Sequence, residues 1–211
     1  MRIVALGQQK GGVGKSAAAI NLACHAAASG FKVAIIDMDE DQATTLKWAK
    51  RRDDKERPAA VSANAITLPQ TLERLTAEGF AWVFLDLPGR SASVASAGLV
   101  AADLILVPCR PLEMDIEASV ATVKAAKRAN KRYVYLMNIV PAQHERQRAE
   151  QMAGTLEALG HPVAPSRIVQ RLVVPDAIAK GHAAREMAPK SKSADEFEKL
   201  FQWLEKELGN R

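Results

Sequence analysis

A glycine-rich segment near the start of the chain has the composition of a phosphate-binding loop. It runs from Gln9 to Ser16 and reads QKGGVGKS, between an apolar run and a stretch of helical composition. Glycines allow backbone conformations closed to other residues, so successive N–H groups can turn onto phosphate oxygens. In this motif the final lysine reaches the outer phosphates and the Ser16 hydroxyl binds Mg²⁺. The motif therefore predicts nucleotide binding by Gly11, Gly12, Val13, Gly14, Lys15, Ser16 and Ala17.

Lys10 is a second lysine in this loop, placed before the glycines. The general pattern G-x-x-x-x-G-K-[ST] has one lysine and puts glycine where this chain has Gln9. An ordinary loop of this kind holds its nucleotide within one subunit. The added lysine therefore predicts a second function near the phosphates.

Acidic residues follow two apolar runs further along the chain. Asp37 and Asp39 end one run, and Asp86 ends another. Ligands of open α/β sheets lie just beyond the carboxyl ends of the strands, so Asp86 is predicted to hold Mg²⁺ as a Walker B aspartate. Asp37 and Asp39 share one face of their strand, so one can approach the metal while the other positions a water molecule. Taken alone, each aspartate is more typical of a helix cap or turn, but three of them together with a phosphate loop favour the metal and water roles.

Short apolar runs alternate with helical patterns along the chain, for example at 116–129 and 149–159. The runs are continuous, which is typical of strands buried on both faces. We therefore predict an α/β fold, a mostly parallel twisted sheet with helices on both faces, in one domain over residues 1–211 with the P-loop NTPase fold. The predicted strands are Arg2 to Gly7, Lys32 to Met38, Ala81 to Leu87, Asp103 to Cys109, Tyr133 to Val140 and Pro162 to Val169. The least regular stretches are 51–65 and 182–193.

Composition and targeting signals narrow the class of protein. No stretch approaches the ~20 apolar residues of a membrane span, and the N-terminus lacks the order of a signal peptide, so we expect a cytoplasmic protein. Cys24 and Cys109 form no CxxC motif, which disfavours a disulfide, zinc or iron–sulfur site. Both cysteines are expected to be small core residues.

Three motifs together resemble one family. They are KGGVGKS at 10–16, DMD at 37–39 with Gln42, and DLPG at 86–89. They are similar to the deviant Walker A ATPases of the ParA/MinD group, most of all to small ParA partition ATPases without an N-terminal helix-turn-helix region. The segment PCRP at 108–111, with Asp115, resembles the part of the family after its fourth strand. This chain departs from the family in having Glu40-Asp41 before Gln42, where a proline is usual, and Ser16 where threonine is commoner.

The resemblance implies an ATPase that uses ATP and Mg²⁺ and becomes a homodimer on binding ATP. Lys10 resembles the lysine that crosses to the partner subunit's phosphates when two monomers sandwich their nucleotides. Asp39 resembles the aspartate linked to hydrolysis, Asp37 its neighbour on the magnesium side, and Asn138 an asparagine near the adenine. The implied catalytic residues are Lys10, Lys15 and Asp39, and the implied metal-binding residues are Ser16, Asp37 and Asp86.

Basic residues are concentrated late in the chain. The formal net charge is +5, yet residues 124–192 hold 13 Lys and Arg against 5 Asp and Glu. Clustered basic residues attract phosphate backbones, and the absence of aromatic residues between the charges at 167–192 favours duplex DNA over single strands. ParA-like proteins bind DNA without sequence preference, so both arguments predict DNA binding, with a solvated basic face as the alternative. The candidate residues are Arg167, Arg171, Lys180, Arg185, Lys190 and Lys192.

The segment from Asp195 to Leu208 has apolar residues at helical spacing and predicts an amphipathic helix. MinD-like proteins place such a tail on membranes, but the polar face here carries five acidic residues and two lysines. Since a membrane-surface helix normally has a basic polar face, we expect this helix to pack against the sheet.

The function that these patterns predict is slow ATP hydrolysis that partitions plasmid or chromosomal DNA on the nucleoid. A ParB-like or other adaptor protein is the expected activator, and no stable membrane association is expected. The alternatives are a MinD-like or compartment-positioning ATPase, an amide-forming synthetase of the same superfamily, and a binding module that uses ATP only as a switch. Sequence alone identifies neither the cargo nor the activating protein.

Overall fold

The computed structural model describes residues 1–54, 57–89, 91–142 and 146–209. Six strands in these ranges form one sheet of order β3-β2-β4-β1-β5-β6, in which every neighbouring pair is parallel. The strands are β1 Arg2–Leu6, β2 Val33–Asp37, β3 Ala59–Ser62, β4 Trp82–Asp86, β5 Leu104–Cys109 and β6 Tyr133–Met137. The predicted α/β class with a parallel sheet is confirmed.

Helices connect the strands and cover both faces of the sheet, as parallel connections require. They are α1 Lys15–Ala28, α2 Thr44–Lys50, α3 Leu68–Ala77, α4 Ala92–Ala101, α5 Glu113–Arg128, α6 Arg146–Ala158, α7 Val173–Ala179, α8 Ala184–Met187 and α9 Lys192–Gly209. The helical patterns at 116–129 and 149–159 correspond to α5 and α6, each beginning three residues earlier than predicted.

Alternate strand residues feed two hydrophobic cores, one on each face of the sheet. Val4 and Leu6 of β1 join the core beneath α1 and α9, while Ala5 joins the core beneath α3 to α6. All three side chains are fully buried. The strands read as continuous apolar runs because neither face of the sheet meets water.

Two elements differ from the sequence-based expectation. The predicted strand from Pro162 to Val169 is wrong, because this segment forms only two isolated bridges. Pro165 lies between the bridging residues and has no N–H to donate, so a ladder cannot continue through it. Conversely, the strand β3 lies inside the stretch 51–65, which was expected to be irregular. Residues 55–56 of that stretch lie outside the described ranges. β3 is four residues long, half-buried at the sheet edge, and therefore carries little apolar signal.

The amphipathic C-terminal helix packs against the sheet and α1, as expected. Its apolar residues are buried, and the ring of Phe201 lies edge-on to Trp82 of β4 with centroids 5.3 Å apart. Cys24 and Cys109 are buried free thiols, which confirms them as core residues. Across the described ranges, no helix is long and apolar enough to cross a membrane.

Truncating Phe201 tests how far α9 supports the fold. Phe201→Ala is expected to lower the free energy of unfolding by about 3–5 kcal/mol, because the side chain is 2% exposed and its removal leaves a cavity. Urea unfolding at 25 °C measures this, with Glu198→Ala on the exposed face of α9 as the control, expected to change stability by less than about 0.5 kcal/mol. Equal effects of the two substitutions would show that α9 is not docked on the sheet.

Candidate nucleotide site

The glycine-rich loop joins β1 to α1 at the carboxyl edge of the sheet. Gly12 and Gly14 have φ of +75° and +84°, a region that residues with a Cβ rarely adopt. α1 begins directly after Gly14, and no side chain caps its first turn. The helix therefore presents unpaired N–H groups and its positive end to the loop, which is the physical basis of an anion site.

Two buried amide side chains hold the loop in place. Gln8 Nε2 donates to the Asp115 carbonyl oxygen at 3.1 Å, and Asn138 Nδ2 donates to the Val13 carbonyl oxygen at 2.7 Å. A Cβ on Gly14 would lie 2.5 Å from Asn138 Nδ2, so glycine is also required sterically. The sequence analysis did not single out Gln8, whose only signal is that it is a polar residue two positions after the strand β1. The loop is thus fixed from both sides by neighbouring elements.

A cleft of about 670 Å³ brings most of the predicted residues together. Val13 does not line the cleft, because its side chain is fully buried beneath the loop. Gly89 closes one wall at very short range, since a Cβ there would lie 2.7 Å from the Gln9 carbonyl oxygen. The predicted residues that line the cleft are Gly11, Gly12, Gly14, Lys15, Ser16, Ala17, Asp39 and Asp86.

Lys15 and Asp86 form the charged centre of this cleft. Burial lowers the pKa of Lys15, while the negative charges of Asp86 and Asp39 partly offset that effect. Burial raises the pKa of Asp86 to about 7, against the opposing effect of a hydrogen bond with Ser16. The Ser16 hydrogen bond and the positive charge of Lys15 therefore offset only part of the effect of burial on the pKa of Asp86.

The residues around Asp86 fit a magnesium ion. Asp86 Oδ2 is buried without a hydrogen-bond partner, and the Ser16 hydroxyl bonds to the same carboxyl group. Oxygen atoms of this kind are the ligands that Mg²⁺ prefers. Among the described residues, no group of three or more His, Cys, Asp or Glu side chains could hold a metal ion. An ion at Ser16 and Asp86 would therefore take its other ligands from phosphate and water.

Asp37 caps the first turn of α2, which is the alternative role that the sequence offered for each strand-end aspartate. Its Oδ1 accepts from the Asp39 N–H at 3.0 Å, and its Oδ2 accepts from the N–H and hydroxyl of Thr45 and the N–H of Leu46 at 3.0, 2.7 and 3.1 Å. These bonds satisfy the first turn of α2. Both oxygens are occupied, so a magnesium-binding role for Asp37 stays a prediction. Asp39 lines the cleft, oriented by the Gln42 N–H, which donates to its Oδ1 at 3.0 Å.

Lys10 does not line the cleft, although its carbonyl oxygen accepts from Lys15 Nζ at 3.4 Å. Lys10 Nζ is 2.6 Å from Oδ1 of Asp115, a carboxylate with no exposed surface in the first turn of α5. Arg110 contacts the same carboxylate through Nε at 2.8 Å and Nη2 at 3.1 Å. Burial alone would raise the pKa of Asp115, but the hydrogen bonds from Arg110 and Lys10 outweigh burial and hold that pKa below its ordinary value. The two lysines of the loop thus occupy different environments.

An apolar groove of about 690 Å³ opens beside the loop at Gly14, Ala17 and Asn138. Its floor and walls come from α7, α9 and the segment before α7, which lie far from the loop in sequence. Sequence analysis did not predict this groove, because its residues are ordinary apolar residues without a motif. The apolar lining residues are Ile139, Ile168, Val169, Leu172, Val174, Pro175, Ile178, Ala179 and Phe197.

The six basic candidates fall into two groups. The three arginines make internal contacts: Arg167 pairs with Glu150 at 2.8 Å, Arg171 with Glu196 at 2.7 Å, and Arg185 approaches His25 Nδ1 at 3.3 Å. The three lysines are exposed and have no ion pair in the described part of the chain. They are Lys180, Lys190 and Lys192.

Adding one methyl group at Gly89 tests whether the loop geometry matters for binding. Gly89→Ala is expected to weaken binding of a nucleotide at least tenfold, because its Cβ would push the Gln9 carbonyl and approach Lys15 Nζ at 3.5 Å. Isothermal titration with a non-hydrolysable ATP analogue and Mg²⁺ measures the dissociation constant. Gly154→Ala is the matched control, since its Cβ would meet nothing within 4 Å. Unchanged binding by Gly89→Ala would show that the loop is free to shift.

Comparisons with known proteins identify relatives of the chain. A model of the CobQ/CobB/MinD/ParA nucleotide binding domain matches residues 4–184. Protein ParA of Rhizobium radiobacter is 32% identical over 116 residues, which are 54% of this chain and 51% of that protein. The chain thus spans about half the length of that relative. The maintenance of carboxysome distribution protein A of Halothiobacillus neapolitanus is 24% identical over 205 residues, 94% of each chain.

Solved structures give the same fold. The septum site-determining protein MinD from Pyrococcus horikoshii, complexed with Mg-ADP, has a TM-score of 0.82 at 18% identity, over 99% of this chain and 98% of that one. At this identity the likeness concerns the fold. The family model covers well over half of the sequence and includes the phosphate loop and both acidic strand ends. The chain therefore belongs to the CobQ/CobB/MinD/ParA family of nucleotide-binding domains, as its motifs predict.

Proposed function

We propose that this protein is an Mg²⁺-dependent ATPase that dimerises on binding ATP, binds DNA without sequence preference and partitions plasmid or chromosomal DNA. The separation of the two loop lysines is the observation that carries the proposal. Lys15 lines the phosphate cleft, whereas Lys10 lies outside that lining, 28% exposed and held by Asp115. From this position just outside its own cleft, Lys10 would leave Asp115 to serve the phosphates of a second copy.

Hydrolysis in this proposal depends on positioning and charge. The loop N–H groups and Lys15 hold the phosphates, and Mg²⁺ bound at Ser16 and Asp86 would neutralise charge that develops on them. Asp39 orients the attacking water from the edge of the cleft, where its own carboxylate is fixed by the Gln42 N–H. Among the described residues, Lys15 is the one cation that lines the cleft, so hydrolysis is slow until Lys10 of a partner subunit and an adaptor protein, ParB-like or other, complete the site.

The base of the nucleotide is assigned to the apolar groove beside Gly14. A flat aromatic base would bury its faces against Pro175 and Ile178. The side-chain Nδ2 of Asn138 donates to the Val13 carbonyl oxygen. The side-chain oxygen of Asn138 is thus able to accept from the amino group of adenine. This supports the adenine role that the family resemblance implies for Asn138.

DNA binding is assigned first to the exposed lysines Lys180, Lys190 and Lys192. Their ammonium groups reach solvent, whereas Arg167 and Arg171 would have to break internal ion pairs before contacting a phosphate. Non-specific contact with phosphates would place the ATP-bound protein on the nucleoid in the cytoplasm.

Positioning of a protein compartment is the second candidate function. Similarity to the carboxysome distribution protein over 94% of both chains favours it, and it would use the same nucleotide cycle with a different adaptor. The MinD-like alternative is less favoured, because the apolar residues of α9 are buried in the core and not available to lipid. An amide-forming synthetase would consume ATP only with a carboxylate substrate, so hydrolysis without one separates it from the proposed function.

Lys10→Ala tests the two-subunit proposal. It is expected to raise the dimer dissociation constant at least tenfold in the presence of an ATP analogue and Mg²⁺, because the partner's phosphates lose a cation. Sedimentation velocity measures the dimer, with Lys206→Ala on the exposed face of α9 as the control. Dimerisation that survives Lys10→Ala unchanged would remove the cross-subunit role of this lysine.

A triple variant, Lys180→Ala with Lys190→Ala and Lys192→Ala, tests the DNA surface. If each lysine contacts one phosphate, the slope of log affinity against log salt should fall by about 3 per subunit. Fluorescence anisotropy with a random-sequence duplex at several salt concentrations measures the slope, with ATP analogue and with ADP. Equal DNA affinity with the ATP analogue and with ADP would contradict the assignment, as would a triple variant with the salt slope of the wild type.

A further inference from the structure

Asp115 is a buried carboxylate shared by two cations. Lys10 Nζ contacts Oδ1 at 2.6 Å. Arg110 contributes three donors: Nε to Oδ2 at 2.8 Å, Nη2 to Oδ1 at 3.1 Å and its backbone N–H to Oδ2 at 3.2 Å. Asp115 also lies in the first turn of α5, where the positive end of the helix favours an anion.

The two cations are not equivalent partners. Arg110 binds the carboxylate through two nitrogens of its planar guanidinium and through its backbone N–H, whereas Lys10 contributes one ammonium group on a flexible side chain. Leaving a buried charge without any partner is strongly unfavourable. When Lys10 leaves, however, the three Arg110 donors and the helix end remain. Lys10 is therefore the exchangeable cation of the pair.

We infer that Arg110 is a positioning residue that sets how easily Lys10 leaves Asp115. With Arg110 present, the carboxylate stays neutralised and Lys10 can move toward phosphate. Without Arg110, Lys10 becomes the one remaining cation on Asp115 among the described residues and is held there. The destination of Lys10 rests on the proposed function, whereas the exchange is a property of the nucleotide-free monomer.

The first test measures how free the Lys10 amine is, without any nucleotide. Acylation by acetic anhydride is followed by peptide mass spectrometry, with Lys206 of the same molecule as the reference. Arg110→Ala is expected to slow acylation of Lys10 at least threefold, and Asp115→Asn to accelerate it. Arg74→Ala, which breaks an exposed ion pair with Glu78 at 3.6 Å, is the control and should leave the acylation rate of Lys10 unchanged.

A second variant keeps this test decisive if Arg110→Ala does not fold. Arg110→Lys retains a charge but loses the planar guanidinium, so it should slow Lys10 acylation by a smaller factor. If both variants fold, the inference is overturned when neither of them slows the acylation of Lys10. If only Arg110→Lys folds, the inference is overturned when that variant does not slow it.

The second test separates positioning from a merely structural role. Arg110→Ala is expected to raise the ATP concentration needed for half-maximal dimerisation about fivefold, and adding Asp115→Asn should restore it because the holding charge is gone. If Arg110 has only a structural role, the double variant should need more ATP for half-maximal dimerisation than either single variant. That outcome overturns the inference. If the wild-type protein itself does not dimerise with ATP, the proposed function fails while the acylation result still decides the role of Arg110.

Discussion

One constraint governs this molecule: six parallel strands are buried on both faces, so all their carboxyl ends meet at one edge of the sheet. The central strand β1 delivers the phosphate loop to that edge, and β2 and β4 deliver their aspartates beside it. Asp37 and Asp86 are directly paired in register although 49 positions separate them in the sequence. The chemistry of the site depends on this register, because a shift of one residue would turn each carboxylate to the other face.

Charge at this edge is balanced in two separate places. Inside the cleft, Lys15 shares the lining with Asp39 and Asp86, and burial leaves Asp86 with a raised pKa and an unpaired oxygen. Outside it, Asp115 holds Lys10 and Arg110 together. The cleft thus fits a bound cation and phosphate, while the second lysine has an alternative anion on its own chain. Lys10 therefore has a contact within its own chain that does not involve the cleft.

Much of the fold followed from local patterns, and the exceptions have physical causes. Continuous apolar runs located five of the strands, because burial on both faces removes any polar alternation. β3 was missed since an edge strand of four half-buried residues has no such run. The segment containing Val163 and Val169 has strand-like residues, but Pro165 interrupts its hydrogen bonding, so propensity alone predicted too much.

The sequence by itself determined the motif chemistry: a phosphate loop, an additional Lys10, acidic strand ends and a basic late segment. Spacing along the chain is enough for these, because the loop and each strand end are local structures. Only the tertiary structure decided what each charge contacts. It committed Asp37 to the start of α2, joined Lys10 and Arg110 on Asp115, and paired Arg171 with Glu196. The burial of these charged groups and the distances between them depend on how the elements pack together. Patterns along the sequence carry no information on that packing.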